Sequence, residues 1–364
     1  MKITRLETDI LSIPEDEPLA NAPERDGAMR PVVTLRLRTE DDIEGIGLTF
    51  YGGALTRALR EAVDALGALT VGEDPLRPEA IARKLRVAGG GCESGGIFTL
   101  ASAAIDMALW DIKGKALGQP IWKLLGGARD RVPTYASGAL RRGLIHDKAA
   151  AAAAHLKQTG FREMKMQLAL PGAPTVTDEI TRARVVREAI GPDILLMCDI
   201  NQRWRPEQAI DIGHRIQDVG LFWLEDVTAA DDYPGLARVT AALATPVAGG
   251  EYVWGVTPFR HMIEARSVDI VMIDLVRVGG VTQWLKVAGM AEAFNLPVVS
   301  HVIPEFHVHL IAAVPNGLTV EYMPWMLKLF EQTPPIDAGE LVLPTTPGWG
   351  LRFDQRAVER FRVG

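Results

Sequence analysis

Cysteine is nearly absent from this 364-residue chain: Cys92 and Cys198 are the only two. Neither belongs to a C-x-x-C pair, which excludes a disulfide framework and a thiolate zinc site and points to a reduced, cytoplasmic setting. Positive charge is also short, with 39 Lys and Arg against 46 Asp and Glu and a net charge of -7. That leaves no broad footprint for nucleic acid or an anionic membrane, so the expected partners are small molecules and further copies of the chain. No apolar run reaches bilayer-spanning length. The start, Met1-Lys2-Ile3-Thr4-Arg5, lacks the apolar core and cleavage site of a secretion signal, so neither secretion nor membrane insertion is expected.

What is present alternates. Residues 1 to about 14 read as a strand, and Val33, Leu35 and Leu37 alternate with Thr34 and Arg36 before Asp41-Asp42 reverse the chain into Ile43 to Thr49. This predicts an antiparallel meander. Between its first two strands lies the polar segment Glu15 to Arg30, which reads as a lid or as an exposed loop. Helical patterns follow at Leu55 to Leu69, Pro78 to Val87 and Ile97 to Leu117. Asp106 and Asp111 on the last read as polar anchors of a packed helix. The run Gly89-Gly90-Gly91 to Gly95-Gly96 lacks the preceding strand and the spacing that a phosphate cradle requires.

After Gly126-Gly127 strands and helices alternate, the signature of a parallel sheet. Strands are expected to begin near Val132, Phe161, Ile194, Leu221, Pro246, Asp269, Pro297 and Leu318, enough to close a β/α barrel whose chemistry lies at the C-terminal strand ends. Three successive ends carry acids at equal intervals: Asp199, followed by Asn201, then Glu225 and Glu251. Such carboxylates are what an oxygen-ligated Mg²⁺ requires. In Glu163-Met164-Lys165-Met166-Gln167 the period of two puts Lys165 and Gln167 on one face, inside the barrel if the methionines pack outward. Asp274 and His301 end neighbouring strands, where a carboxylate can hold an imidazole's tautomer and raise its basicity. Glu321 ends the eighth strand and reads equally as a substrate-facing acid or as half of a salt bridge. His307 and His309 fit no metal motif and read as structural.

The order Lys165, Asp199-x-Asn201, Glu225, Glu251, Asp274, His301, Glu321, with Arg277-Val278-Gly279-Gly280-Val281-Thr282 and Ala104 to Asp111, closely resembles the mandelate racemase subgroup of the enolase superfamily. The resemblance implies an α/β fold: a modified TIM barrel, (β/α)₇β, at 129–330, an α+β capping domain at 1–128, and a C-terminal segment, 331–364, that returns to the cap. It implies Asp199, Glu225 and Glu251 as Mg²⁺ ligands, Asp274 and His301 as a dyad base, and Glu321 as an acid facing the substrate. It also places Glu15 to Arg30 and the turn Phe50-Tyr51-Gly52-Gly53 where that subgroup keeps its specificity loops, which favours the lid and makes Tyr51 a substrate contact. Homo-oligomers are common in the subgroup.

One departure has chemical weight. The resemblance implies Lys-x-Lys on the second barrel strand, its second lysine a base opposing the histidine, whereas this chain has Gln167, whose amide accepts no proton. A lesser one is Asp226-Val227 after Glu225, where Glu-Pro is often found. The shared chemistry is removal of a proton α to a carboxylate, giving an enediolate stabilised by Mg²⁺. Without a second base, one histidine is expected to take that proton and return it to a departing β-hydroxyl, dehydrating a sugar acid to a 2-keto-3-deoxy acid. Lys165 then holds the carboxylate, and Gln167 and Asn201 a hydroxyl-bearing substrate. The alternatives are an epimerase, racemase or cycloisomerase using Lys165 as second base, and a relative that only binds its ligand.

Overall fold

The computed structural model describes residues 1–15, 17–20, 28–92, 95–172 and 174–363. The middle of the segment expected as a lid, 21–27, and two residues of the glycine-rich run, 93 and 94, lie outside the described residues.

Strands β1 (Ile3–Pro14), β2 (Met29–Thr39) and β3 (Glu44–Thr49) form the expected antiparallel meander, in the order β1-β2-β3. Helices α1 (Thr56–Ala68), α2 (Pro78–Ala88) and α3 (Gly96–Ala116) follow, and α3 lies directly on β3. Two glycines permit that approach. A Cβ at Gly45 would stand 2.2 Å from the Ala108 carbonyl oxygen, and one at Gly47 would stand 2.0 Å from that of Ala104. The glycine-rich run joins two helices rather than a strand to a helix, as a phosphate cradle would not.

After the single turn α4 (Ile121–Leu124) comes the barrel: β4 (Arg131–Leu140), α5 (His146–Gln158), β5 (Glu163–Gln167), α6 (Val176–Ile190), β6 (Leu195–Asp199), α7 (Pro206–Arg215), β7 (Trp223–Glu225), α8 (Tyr233–Ala242), β8 (Val247–Gly249), α9 (Val256–Glu264), β9 (Ile270–Asp274), α10 (Leu275–Val278), α11 (Val281–Ala293), β10 (Val298–His301), α12 (Pro304–Ala313) and β11 (Val320–Tyr322). Strands β4 through β10 pair in parallel in sequence order, and β11 pairs with β4. A bridge between Val298 and Gly317 closes the ring, so the architecture is the modified (β/α)₇β barrel with an N-terminal cap. The helix expected over Pro206 to Val219 ends at Arg215, and a separate 3-10 turn covers Gln217–Val219.

Alternation decides what fills the barrel. Tyr135, Met197, Trp223, Ala248, Ile270, Met272 and Val299 pack together as an inner cluster, while Met164 and Met166 join the outer core against the helices. The residue between those methionines, Lys165, therefore points inward, as the period of two requires. The tail supplies β12 (Ile336–Asp337) and β13 (Glu340–Val342), a hairpin on β4, then α13 (Gln355–Phe361), which packs against β1.

Asp106 and Asp111 are indeed anchors. Asp111 accepts from the backbone N–H groups of Ile46 and Trp349 and from Lys115, tying β3 and the tail to α3. Asp106 accepts from the Thr282 backbone and hydroxyl at the start of α11. Among the described residues no helix is long and apolar enough to cross a membrane.

Candidate active site

Parallel pairing puts the chemistry-bearing residues side by side. Gln167 is in register with Asp199, Asp199 with Glu225, and Asp274 with His301, all at C-terminal strand ends. Lys165, Asp199, Glu225, Glu251, Asp274, His301 and Glu321 are all buried around one mouth. Every expected site residue except Glu225 lines a single cavity of about 220 Å³ or, like Asp274, lies directly behind it.

His301 and Asp274 form a close pair. The imidazole Nδ1 stands 2.7 Å from Asp274 Oδ2, and Nε2 faces Glu251 Oε2 at 3.1 Å. Asp274 Oδ1 also accepts from the backbone N–H groups of Val276 and Arg277 at 2.8 and 2.7 Å, capping α10. Burial opposes its charge, yet His301 and Arg277 hold its pKa down to about 2. For His301 burial works downward too, but the carboxylates of Glu251 and Asp274 outweigh it and raise the imidazole above its ordinary value. Tyr51 donates its hydroxyl to Asp274 Oδ2 at 2.9 Å, and the Arg277 guanidinium lies 3.8 Å over its ring. The tyrosine therefore reaches the dyad as well as the cavity.

Lys165 takes both alternatives that Glu321 left open into one network. Its Nζ stands 2.5 Å from Glu225 Oε1 and 2.8 Å from Glu321 Oε1. Burial would lower the lysine, but these two carboxylates hold it well above its usual value, so it remains an ammonium. Glu321, despite burial, is brought down to about 2 chiefly by Lys165, and its Oε2 accepts from Val302 N at 2.7 Å. Gln167 is fully engaged in amide roles: Nε2 donates to Asn201 Oδ1 at 3.1 Å and Asp199 Oδ2 at 3.4 Å, and Oε1 accepts from Arg142 N at 3.3 Å.

The carboxylates suit a hard divalent cation. Oxygens of Asp199, Glu225 and Asp226 all lie within 4.8 Å of one another, buried, and among the described residues Asp226 Oδ2 has no hydrogen-bond partner. Burial and mutual repulsion drive Glu225 up to about 8 and Asp226 and Glu251 well above the carboxylate range, a penalty that a bound cation would relieve. Glu251, the third expected ligand, borders the same mouth but turns an oxygen to His301.

Asp226 escaped sequence reasoning because strand alternation would send it away from Glu225. A left-handed backbone, φ 43°, returns it to the cluster. The same conformation occurs at Tyr51, Asn201, Val302 and Ile303 around the mouth. Each such non-glycine residue costs on the order of 1–3 kcal/mol, strain of the kind that gathers at functional sites.

Known sequences agree with this geometry. Residues 147–357 match the enolase C-terminal domain-like family, and residues 18–126 match the N-terminal domain of mandelate racemase and muconate lactonizing enzyme. The L-talarate/galactarate dehydratase of Salmonella typhimurium is 29% identical, covering 98% of this chain and 90% of that protein. The 3,6-anhydro-alpha-L-galactonate cycloisomerase of Streptomyces coelicolor is 32% identical, with both chains covered completely. A crystal structure of L-talarate dehydratase from a Polaromonas species, complexed with Mg and L-glucarate, superposes with a TM-score of 0.91 at 29% identity, covering 100% of this chain and 98% of that one.

Proposed function

We propose a function from one premise: the chain belongs to the mandelate racemase and muconate lactonizing enzyme family of the enolase superfamily. The reading is a Mg²⁺-dependent sugar-acid dehydratase that removes the proton α to a carboxylate and expels the β-hydroxyl, giving a 2-keto-3-deoxy acid. The observation that carries it is the asymmetry of the cavity. On one side stands an imidazole backed by Asp274, and on the other an amide and an ammonium held in ion pairs.

With Nδ1 committed to Asp274, His301 presents Nε2 to the cavity and takes the α-proton there. The C–H electrons form the double bond as the β-C–O bond breaks, and the imidazolium returns the proton to the departing hydroxyl as water. The resulting enol becomes the 2-keto acid. Lys165 and Glu321 hold the reacting end, Gln167 and Asn201 receive hydroxyls, and Tyr51 walls the cavity beside the dyad. Asp199, Glu225 and Glu251 would hold Mg²⁺, with Asp226 adjoining. When bound, the ion neutralises charge growing on the substrate carboxylate.

Cycloisomerases among the relatives give the second reading its support. A second base at Lys165 has less, because its ion pairs keep it protonated. In this account residues 1–128 cap the barrel at 129–330, with 331–364 returning to the cap, and the protein works in the reduced cytoplasm as a homo-oligomer. The test is a screen of the Mg²⁺-loaded protein against aldonic, aldaric and uronic acids for 2-keto product, with His301→Asn as control. Product abolished by the control supports dehydration. Ring-opened or epimerised acid without keto product would replace it with an isomerase.

A further inference from the structure

Beside the catalytic cavity lies a second one of about 570 Å³, lined by Arg142 and Arg203 and sharing Arg141, Gln167 and Asn201 with the first. Three guanidiniums in one cleft call for anions, and among the described residues a single carboxylate pairs directly with them. Arg141 pairs with Glu17 at 2.7 Å. Arg142 donates Nη2 to the neutral Asn201 side chain, while its buried Nη1 has no partner among the described residues. Arg203 is exposed and forms no ion pair among the described residues. Burial lowers Arg142 from its ordinary value; Asp199 opposes that, but the like charge of Arg203 adds to it. An orphaned guanidinium N–H beside a second unpaired guanidinium is a carboxylate receptor, since Arg presents paired donors that match a planar anion.

Gln167 links the two cavities. Its carbonyl accepts from the Arg142 backbone, and its amide N–H shares Asn201 Oδ1 with the Arg142 guanidinium. A lysine in its place would add a cation to an already uncompensated pair and remove the acceptor. The glutamine thus gives up a base and joins the reacting end to a cationic end.

We infer that the substrate is a dicarboxylic sugar acid whose distal carboxylate docks on Arg142 and Arg203. This rests on the dehydratase reading for which end reacts, but the recognition is separable from the chemistry. An aldarate fits both ends, whereas an aldonate leaves Arg142 and Arg203 without an anion. A terminal phosphate shares the anionic chemistry and is a separate arm of the test.

The experiment compares hexaric acids, hexonic acids of matching configuration and a 6-phosphorylated hexonate. Affinities come from calorimetry with Mg²⁺-loaded His301→Asn protein, and kcat/KM from the active enzyme. The diacid is expected to bind at least tenfold more tightly than its monoacid, and the diacid-to-monoacid ratio to fall about tenfold in Arg203→Met and in Arg142→Gln. Arg203 is exposed, so its variant keeps the comparison valid should Arg142→Gln fold poorly. Equal affinity for both acids, a ratio unmoved by Arg203→Met, or a preference for the phosphorylated acid would overturn the dicarboxylate assignment while leaving dehydration intact. Diacid-selective binding without any keto product would retain the subsite and overturn the dehydratase.

Discussion

Replacing Asp274 with Asn separates two roles that one side chain plays. The amide oxygen can keep the bonds from Val276 N and Arg277 N, so α10 stays capped, Asn being about as good an N-cap as Asp. The amide nitrogen then meets His301 Nδ1, now 2.7 Å from a carboxylate oxygen, and donates where an acceptor stood. His301 must move its proton to Nε2, the nitrogen assigned to receive the substrate's. General-base catalysis is worth about 10²–10⁴ in rate, so kcat is expected to fall by that factor, roughly 3–5 kcal/mol on the barrier. Stability should fall by about 2 kcal/mol, the worth at pH 7 of a carboxylate held near 2 instead of 3.8, with the lost acceptor of Tyr51 adding to it. Loss of the α-proton signal in D₂O followed by NMR measures the first, and urea unfolding the second. Exchange within tenfold of the parent would refute the dyad. Inactivity accompanied by a loss of stability far beyond that would make Asp274 a structural cap.

Lys165→Met removes the cation between Glu225 and Glu321 and should raise KM about 10- to 100-fold, the worth of a charged hydrogen bond, while α-proton exchange persists at saturating substrate; abolished exchange would restore Lys165 as a base. Gly47→Ala forces a Cβ against the Ala104 carbonyl and should cost about 1–3 kcal/mol or more in urea unfolding; an unchanged midpoint would deny the close packing of α3 on β3. Burial lowers His309 from 6.5 to about 3, so the stability it contributes is full above about 6.5 and is lost as pH falls toward 3. Between pH 7 and pH 5 the parent should lose about 2 kcal/mol more than His309→Gln, and identical pH profiles would contradict that burial.

The strand ends were legible because parallel barrel strands are buried on both faces and advertise themselves as apolar runs ending in acids. Lys165 between two outward methionines was legible for the same reason. What could not be read was whatever depended on backbone irregularity or distance along the chain. Asp226 enters the acid cluster only through its left-handed φ. Tyr51 reaches Asp274 across 223 residues, a meeting set by how the cap sits on the barrel. Arg142 and Arg203 carry no periodic signal, and their shared cleft arises from two loops brought together by the pairing of β4, β5 and β6. His307 and His309 were read as structural from the absence of a ligand motif, and their rings do contact backbone carbonyl oxygens in the core.

One imidazole, with no second base, serves this cavity. The most direct test is the stereochemical fate of the α-carbon when a turned-over sugar acid is incubated in D₂O with Mg²⁺-loaded protein and the unreacted acid is recovered. A single base is expected to give 2-keto product, with any deuterium in the recovered acid placed with retention of configuration. Deuterium in an α-inverted epimer would require a proton donor on the opposite face and would contradict a single base.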